Sequence, residues 1–280
     1  MAALHAQIST LRDRLSGVSL DLGRIAAGAK PVQLAATANG IYAADPGAGR
    51  LWRIFGDPVE AGVVLQMGQR NVGAPVAVAV VDDVVYAIDD QRRVWKAEGN
   101  TVTEVTPPDT SKWRSVTALA MFVGNLYVLD TVSGQLWKHE PDRAGRFGVA
   151  VPFIAAPLPP NTARSVAVDG DVWIVTVTGE VLRLRRQGLA TAAARLDFTA
   201  RWDGVPATPV AIQALESQRS LYLLDALGKR VIRMTRDGRE TARFALPVDL
   251  SAAATFYVSE GQQLAYTMHA GKLAITSIAR

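Results

Sequence analysis

One five-residue phrase recurs along this chain at a nearly constant interval, and nothing else in the sequence constrains the fold as strongly. The copies are "IYAAD" (41–45), "VYAID" (85–89), "LYVLD" (126–130), "VWIVT" (172–176), "LYLLD" (221–225) and a faded "LAYTM" (264–268). Their second positions are Tyr42, Tyr86, Tyr127, Trp173, Tyr222 and Ala265, spaced by 44, 41, 46, 49 and 43 residues. A period of roughly 40–50 residues is the length of one four-stranded propeller blade.

The surroundings of the phrase repeat with it. Ahead lies a short apolar run: "PVQLAA" (31–36), "PVAVAV" (75–80), "VTALAM" (116–121), "SVAV" (165–168), "PVAIQA" (209–214) and "AATFYV" (253–258). A turn separates the two, as at Asp169-Gly170, where both residue types tolerate positive φ and so favour a hairpin. After the phrase come "RLWRI" (50–54), "RVWKA" (93–97), "QLWKH" (135–139), "EVLRL" (180–184), "RVIRM" (230–234) and "KLAIT" (272–276). A fourth alternating stretch follows in five units: 61–67, 101–106, 148–154, 194–199 and 241–246. The chain therefore reads as all-β, a closed six-bladed β-propeller of four-stranded antiparallel blades.

The sixth unit runs out at Arg280 before a fourth strand, while "VSLDLGRI" (18–25) precedes the first unit and belongs to none. We expect 18–25 to close the ring as the missing strand, because an open ring would expose two sheet edges and two half-buried blade faces. The propeller then spans 18–280. Residues 1–17 stay outside, and Leu4, Ile8, Leu11 and Leu15 have helical spacing. They read as a short helix on the propeller or as a linker to a further domain.

The "LYVLD…GxLW[KR]" pattern, written out here as "LYVLDTVSGQLWKHE", resembles the NHL and YWTD six-bladed propellers. It is also similar to propellers attached to bacterial signalling proteins, including serine/threonine kinases and phosphatases. The resemblance covers nearly the whole chain after residue 17. It implies the architecture directly, and it implies function weakly, since propellers host many activities.

Asp45, Asp89, Asp130 and Asp225 hold one position in four blades. Symmetric repetition argues for a structural part, with each carboxylate accepting backbone N–H groups of the following turn. Thr176 can do this in the fourth unit. Met268 cannot, so the sixth turn is expected to be looser. The repeated tyrosines, with Trp52, Trp95 and Trp137, read as inter-blade packing. Third strands carry Arg53, Lys96, Lys138, Arg183 and Arg233 at one position, with Ile275 in the sixth. These cations read as a solvated outer row whose stems cover aromatics, or as a basic belt for an acidic partner or anionic surface.

A propeller's natural site is the channel mouth, where the loops entering the innermost strands converge. Lys30, Arg114 and Arg164 fall at one symmetric position there, with Trp113, Trp202, Asn71, Asn161 and Asp203 nearby. These eight residues define a candidate pocket for a small anionic ligand or an acidic peptide end. The alternative is that they are solvated or paired with Asp109, Asp203 and Asp249.

Enzymatic readings find little support. The chain has no cysteine and three scattered histidines, His5, His139 and His269. Gluconolactonase-like propellers hold a divalent metal with channel carboxylates, and the innermost strands here are apolar. Lyase-like propellers use a histidine, and none falls near the expected mouth. We therefore expect no catalytic residue, metal or cofactor, and a monomeric propeller that binds a ligand or protein. A metal-dependent lactonase or hydrolase is the more distant reading. The net charge of +4 is small for a nucleic-acid binder, so RNA or polyanion binding in the manner of some NHL propellers is the less favoured alternative. No apolar run reaches the ~18 residues of a membrane helix, and the opening residues lack the order of a signal peptide. Composition leaves the compartment open between cytoplasm and a bacterial ectodomain.

Overall fold

The computed structural model describes residues 2–187, 190–194, 202, 204–215, 219–251 and 253–279. The described strands form six four-stranded antiparallel sheets. Blade one is built from Gln33–Thr37, Gly40–Asp45, Arg50–Phe55 and Glu60–Gln66. Blade two follows with Pro75–Val81, Val84–Asp89, Val94–Glu98 and Thr101–Glu104. Blade three has Val116–Phe122, Asn125–Asp130, Gln135–His139 and a fourth strand cut to Val151–Pro152. Blade four has Ala163–Val168, Val172–Thr176, Val181–Gln187 and Ala190–Ala194. The described part of its fourth strand thus lies earlier than the expected 194–199; residues 195–199 lie outside the described residues. Blade five has Ala211–Leu215, Ser220–Asp225, Arg230–Thr235 and Glu240–Ala245.

Blade six is assembled from both ends of the chain. Thr255–Ser259, Leu264–His269 and Lys272–Ser277 supply three strands, and Ser19–Asp21 supplies the fourth. Ser19, Leu20 and Asp21 pair with Ala274, Leu273 and Lys272. The Leu22 N–H adds a 2.8 Å bond to the Gly271 carbonyl. Before this strand Ala2–Leu15 forms the expected helix. Leu11 and Leu15 pack into the seam between blades six and one.

The first strands adjoin one another around the ring, the sixth beside the first. Each blade is flanked on both faces, so second strands such as Val172–Thr176 and Ser220–Asp225 are buried along their whole length. Sheets covered on both sides read as continuous apolar runs rather than strict alternation, which is why the phrase is apolar throughout. The core is accordingly divided into six clusters, each filling one seam between adjacent blades. Blades one and two meet through Tyr42, Leu51 and Leu65 against Val78, Val85 and Trp95.

The faded phrase belongs one residue later than 264–268. Tyr266 pairs with Ile275, as Tyr42 pairs with Arg53 and Tyr222 with Arg233. His269 faces Lys272, as Asp45 faces Arg50. Met268 is fully buried in the closing seam and does not face the turn. The sixth turn is also tighter than its counterparts. Only Ala270 and Gly271 separate His269 from Lys272, at φ 48° and 78°. The shorter turn leaves fewer free N–H groups, which removes the need for a carboxylate.

Closure by the N-terminal strand predicts a specific weakness. Leu22, which has no exposed surface, should cost about 2–4 kcal/mol when changed to alanine. Deleting residues 1–22 should leave an insoluble or molten chain. Urea unfolding of Leu22→Ala and solubility of the truncation check this, and parent-like behaviour of both would contradict the closure.

Candidate binding site

Antiparallel order puts two kinds of connection at opposite ends of the channel. The loops entering each first strand and the turns after each second strand share one end, the loop end. The first-to-second hairpins share the other, the hairpin end.

The loop end is organised from below by the repeated carboxylates, all of them buried. Asp45 accepts the N–H groups of Lys30 (2.8 Å) and Ala48 (3.0 Å) and the indole of Trp52 (2.8 Å). Asp89 accepts from Gly73, Gln91, Arg93 and the Trp95 indole, all at 2.9–3.0 Å. Asp130 accepts from Arg114, Ser115 and Ser133 backbone and from the Ser133 hydroxyl at 2.6 Å. Asp225 accepts from Gly228 N–H and from Arg230 Nε. Thr176 performs the same role more weakly, accepting the Glu180 N–H at 3.0 Å. The carboxylates therefore do more than the expected turn capping. In the first three blades they also fasten the loop that enters the blade.

Amide side chains tie the inner strands together around the channel. Innermost strands present a free sheet edge to the axis, and buried unpaired backbone groups there would each cost roughly 1–3 kcal/mol. Gln33 crosses from blade one, donating to the Leu119 carbonyl (2.8 Å) and accepting from Leu119 and Val78 N–H groups (3.2 and 3.3 Å). Gln213 makes the same two-way contact with Val258 (3.0 and 2.6 Å). Ser165 Oγ accepts the Ile212 N–H at 3.2 Å. The sequence carried a signal for this: a lone glutamine within each of two otherwise apolar inner strands.

Beside these side chains lies a mouth cavity of about 230 Å³. Of the expected cluster, Arg164 alone among the described members lines it. Arg164 is partly buried, and burial lowers the pKa of its guanidinium. Lys30 and Arg114 stand exposed, held by their backbones to Asp45 and Asp130. Trp113 is fully buried in the seam of blades two and three, edge-on to His139 at 5.3 Å. Trp202 packs in the seam of blades four and five. Asn71 and Asn161 are exposed turn residues at φ 61° and 60°. Asp203 lies outside the described residues. Equal sequence positions thus placed the backbones alike and sent the side chains to different surroundings.

The five repeated cations stand opposite the repeated aromatics, Tyr86 facing Lys96, Tyr127 facing Lys138 and Trp173 facing Arg183. Each is engaged locally. Arg53 donates to the Asn39 carbonyl and lies 5.0 Å over Phe55. Lys96 pairs with Glu98 (2.8 Å) and Lys138 with Glu140 (2.7 Å). Arg183 binds Asp171, and Arg233 reaches Ser220 and Glu260.

His139 is buried, with Nδ1 2.9 Å from the Gly148 carbonyl, and burial lowers its pKa. His269 Nδ1 lies 3.2 Å from Ser251 Oγ in the sixth turn. No group of three or more His, Cys, Asp or Glu with metal-ligand geometry occurs among the described residues.

Two surfaces remain open. At the loop end, Ile25, Val32, Met67, Val132, Val177, Val205 and Leu227 are all exposed, Leu227 by 75%. Val132, Val177 and Leu227 are turn tips of consecutive blades. At the hairpin end a cavity of about 660 Å³ opens between the helix and blades six, one and two.

No family model and no curated protein matches this sequence. Solved structures share the fold. The nidogen/laminin complex matches at TM-score 0.55 and 15% identity, over 78% of this chain and 81% of that one. YCF48 bound to D1 peptide matches at 0.58 and 8%, over 93% and 96%. A luciferin-regenerating enzyme matches at 0.63 and 10%, over 94% and 96%. Binding proteins and enzymes both stand among these neighbours, and the likeness is one of fold: this chain is a six-bladed β-propeller.

The carboxylate ties give a pH prediction. Burial works to raise the pKa of Asp130, but hydrogen bonds from Ser133, Arg114 and Ser115 outweigh it and hold the carboxyl below its usual value. Its contribution is therefore complete above the ordinary carboxylate pKa of about 3.9 and is lost as pH falls through the lower folded value. Asp130→Asn should cost about 2–3 kcal/mol near neutrality, and the gap to the parent in urea midpoint should narrow towards about pH 3. A gap that stays constant with pH would contradict the assignment.

Proposed function

We propose that this propeller is a non-catalytic binding module that docks a protein partner on its loop end. The observation that carries the reading is the concentration of exposed apolar side chains on that face, running over the turn tips of blades three to five, beside the exposed cations Lys30 and Arg114. Large apolar side chains held out in water on one face mark interaction surfaces more often than scattered ones do. The flanking cations favour an acidic segment on the partner.

Three further features support this reading over catalysis or polyanion binding. Gln33 and Gln213 spend their amides on inner-strand backbone groups rather than facing a ligand. His139 is locked in the core. The repeated outer cations are each occupied by a carboxylate, a hydroxyl or a carbonyl. Two of the structural neighbours were solved with a protein or peptide partner. In line with the resemblance to propellers of bacterial signalling proteins, the domain would serve as the sensor or scaffold of a larger protein.

Leu227 and Val123 provide a matched pair for the test, 75% and 74% exposed at opposite ends of the ring. Partners captured by the parent should be lost by at least about tenfold with Leu227→Glu and retained with Val123→Glu. Equal retention by both variants, or metal-dependent turnover of a lactone or ester panel, would overturn the reading.

A further inference from the structure

We propose that the cavity at the hairpin end binds an organic ammonium ion carrying an apolar body. Its volume, about 660 Å³, falls within the range of small-molecule pockets. Leu11 and Leu15 of the helix form one wall, and Ile41, Ile54, Val80 and Ile275 give an apolar floor. Among the described residues no lysine or arginine lines it.

The charged groups that line it are all of one sign. Asp57, Asp82 and Asp83 stand on the blade-one and blade-two side. Arg14 of the helix pairs with Asp57. Asp83 accepts the Ala38 N–H at 2.9 Å, which holds its carboxylate between the two hairpins. Asp82 is exposed on the same turn and makes no hydrogen bond or ion pair among the described residues. The nearest belt cation, Arg53, is turned to the Asn39 carbonyl and stacked on Phe55.

On the blade-six side the cavity is lined by two aromatics, Tyr257 and Tyr266, with ring centroids 6.4 Å apart and planes tilted by 46°. The Tyr266 hydroxyl donates to Gln262 Oε1 at 2.8 Å, and that of Tyr257 has no partner among the described residues. Burial pushes both tyrosines up, Tyr266 to about 12, so both remain neutral at ordinary pH. Aromatic faces and carboxylates both favour a cation, and aromatic faces tolerate one that cannot donate hydrogen bonds. An anion would face the carboxylates of Asp82 and Asp83, with Arg14 already committed to Asp57. A neutral apolar molecule would leave the Asp82 and Asp83 side unused. Charge complementarity therefore selects a cationic head, and the apolar wall and floor select its body. This cavity is at the far end of the channel from the proposed docking face and does not depend on it.

Hexyltrimethylammonium, hexanoate and hexanol test the claim on the full chain, by calorimetric titration at low salt. The ammonium should bind saturably and hexanoate should not. Asp82→Asn and Tyr257→Leu should each weaken the ammonium by about three- to tenfold, with circular dichroism melts showing that both variants remain folded. Leu227→Glu, at the opposite end, should leave it unchanged. No saturation by the ammonium up to ~10 mM, when about 0.3 kcal/mol for each of its ten non-hydrogen atoms already gives a Kd of roughly 6 mM, would overturn the proposal. So would equal binding of hexanoate, or unchanged affinity in both cavity variants.

Discussion

Each of four blades turns on a buried carboxylate at the end of its second strand. A carboxylate without partners in that position would be strongly destabilising, so burial and hydrogen bonding are inseparable there. In blades one and two the charge is shared among the following turn, the entering loop and an indole of the third strand. In blade three Ser133 takes part of the load, and the Trp137 indole has no hydrogen-bond partner among the described residues. Blade five recruits Arg230. Blade four, lacking the carboxylate, anchors differently. Its hairpin residue Asp169 is buried, accepts from the Trp173 indole and pairs with Arg236 of blade five at 2.6 Å. One physical requirement, satisfying a buried acceptor, is met with different neighbours.

The functional consequence lies in what the ties leave free. Loops fastened at their roots can vary at their tips without disturbing the blade. Val132 and Leu227 follow Asp130 and Asp225 by two residues and stand exposed above them. The glutamine pair works in the same direction. By satisfying inner-strand backbone groups it braces the ring between two ends, one with exposed apolar turn tips, one a cavity with carboxylates and tyrosines.

The architecture was legible because it is periodic. Strand order, blade number and ring closure all follow from a repeat whose every copy carries the same burial demand. The sixth copy was misphased by one residue. There the carboxylate is replaced by His269 and the turn is shortened, so the apolar run alone had to set the register, and Met268 was as good a fit as its neighbour. The pairing of Lys96 with Glu98 and of Lys138 with Glu140 was readable in principle, since residues two apart share a strand face. Side-chain destinations were less legible. Symmetric spacing places backbones, and whether Trp113 enters a seam or a pocket depends on what the adjacent blade leaves empty. The hairpin-end cavity draws on the helix and three blades, a non-local arrangement that no single motif announces.

The central claim is that the carboxylates hold the loop end rigid from within. Hydrogen exchange on the unmodified protein tests it most directly. The N–H groups of Lys30, Gly73, Arg114 and Ser115 lie in loops and donate to Asp45, Asp89 and Asp130 rather than to a backbone ladder. The account predicts that these amides exchange as slowly as those of the adjoining second strands, since both open only with the blade. Exchange at the rate of the exposed turn tips would contradict it.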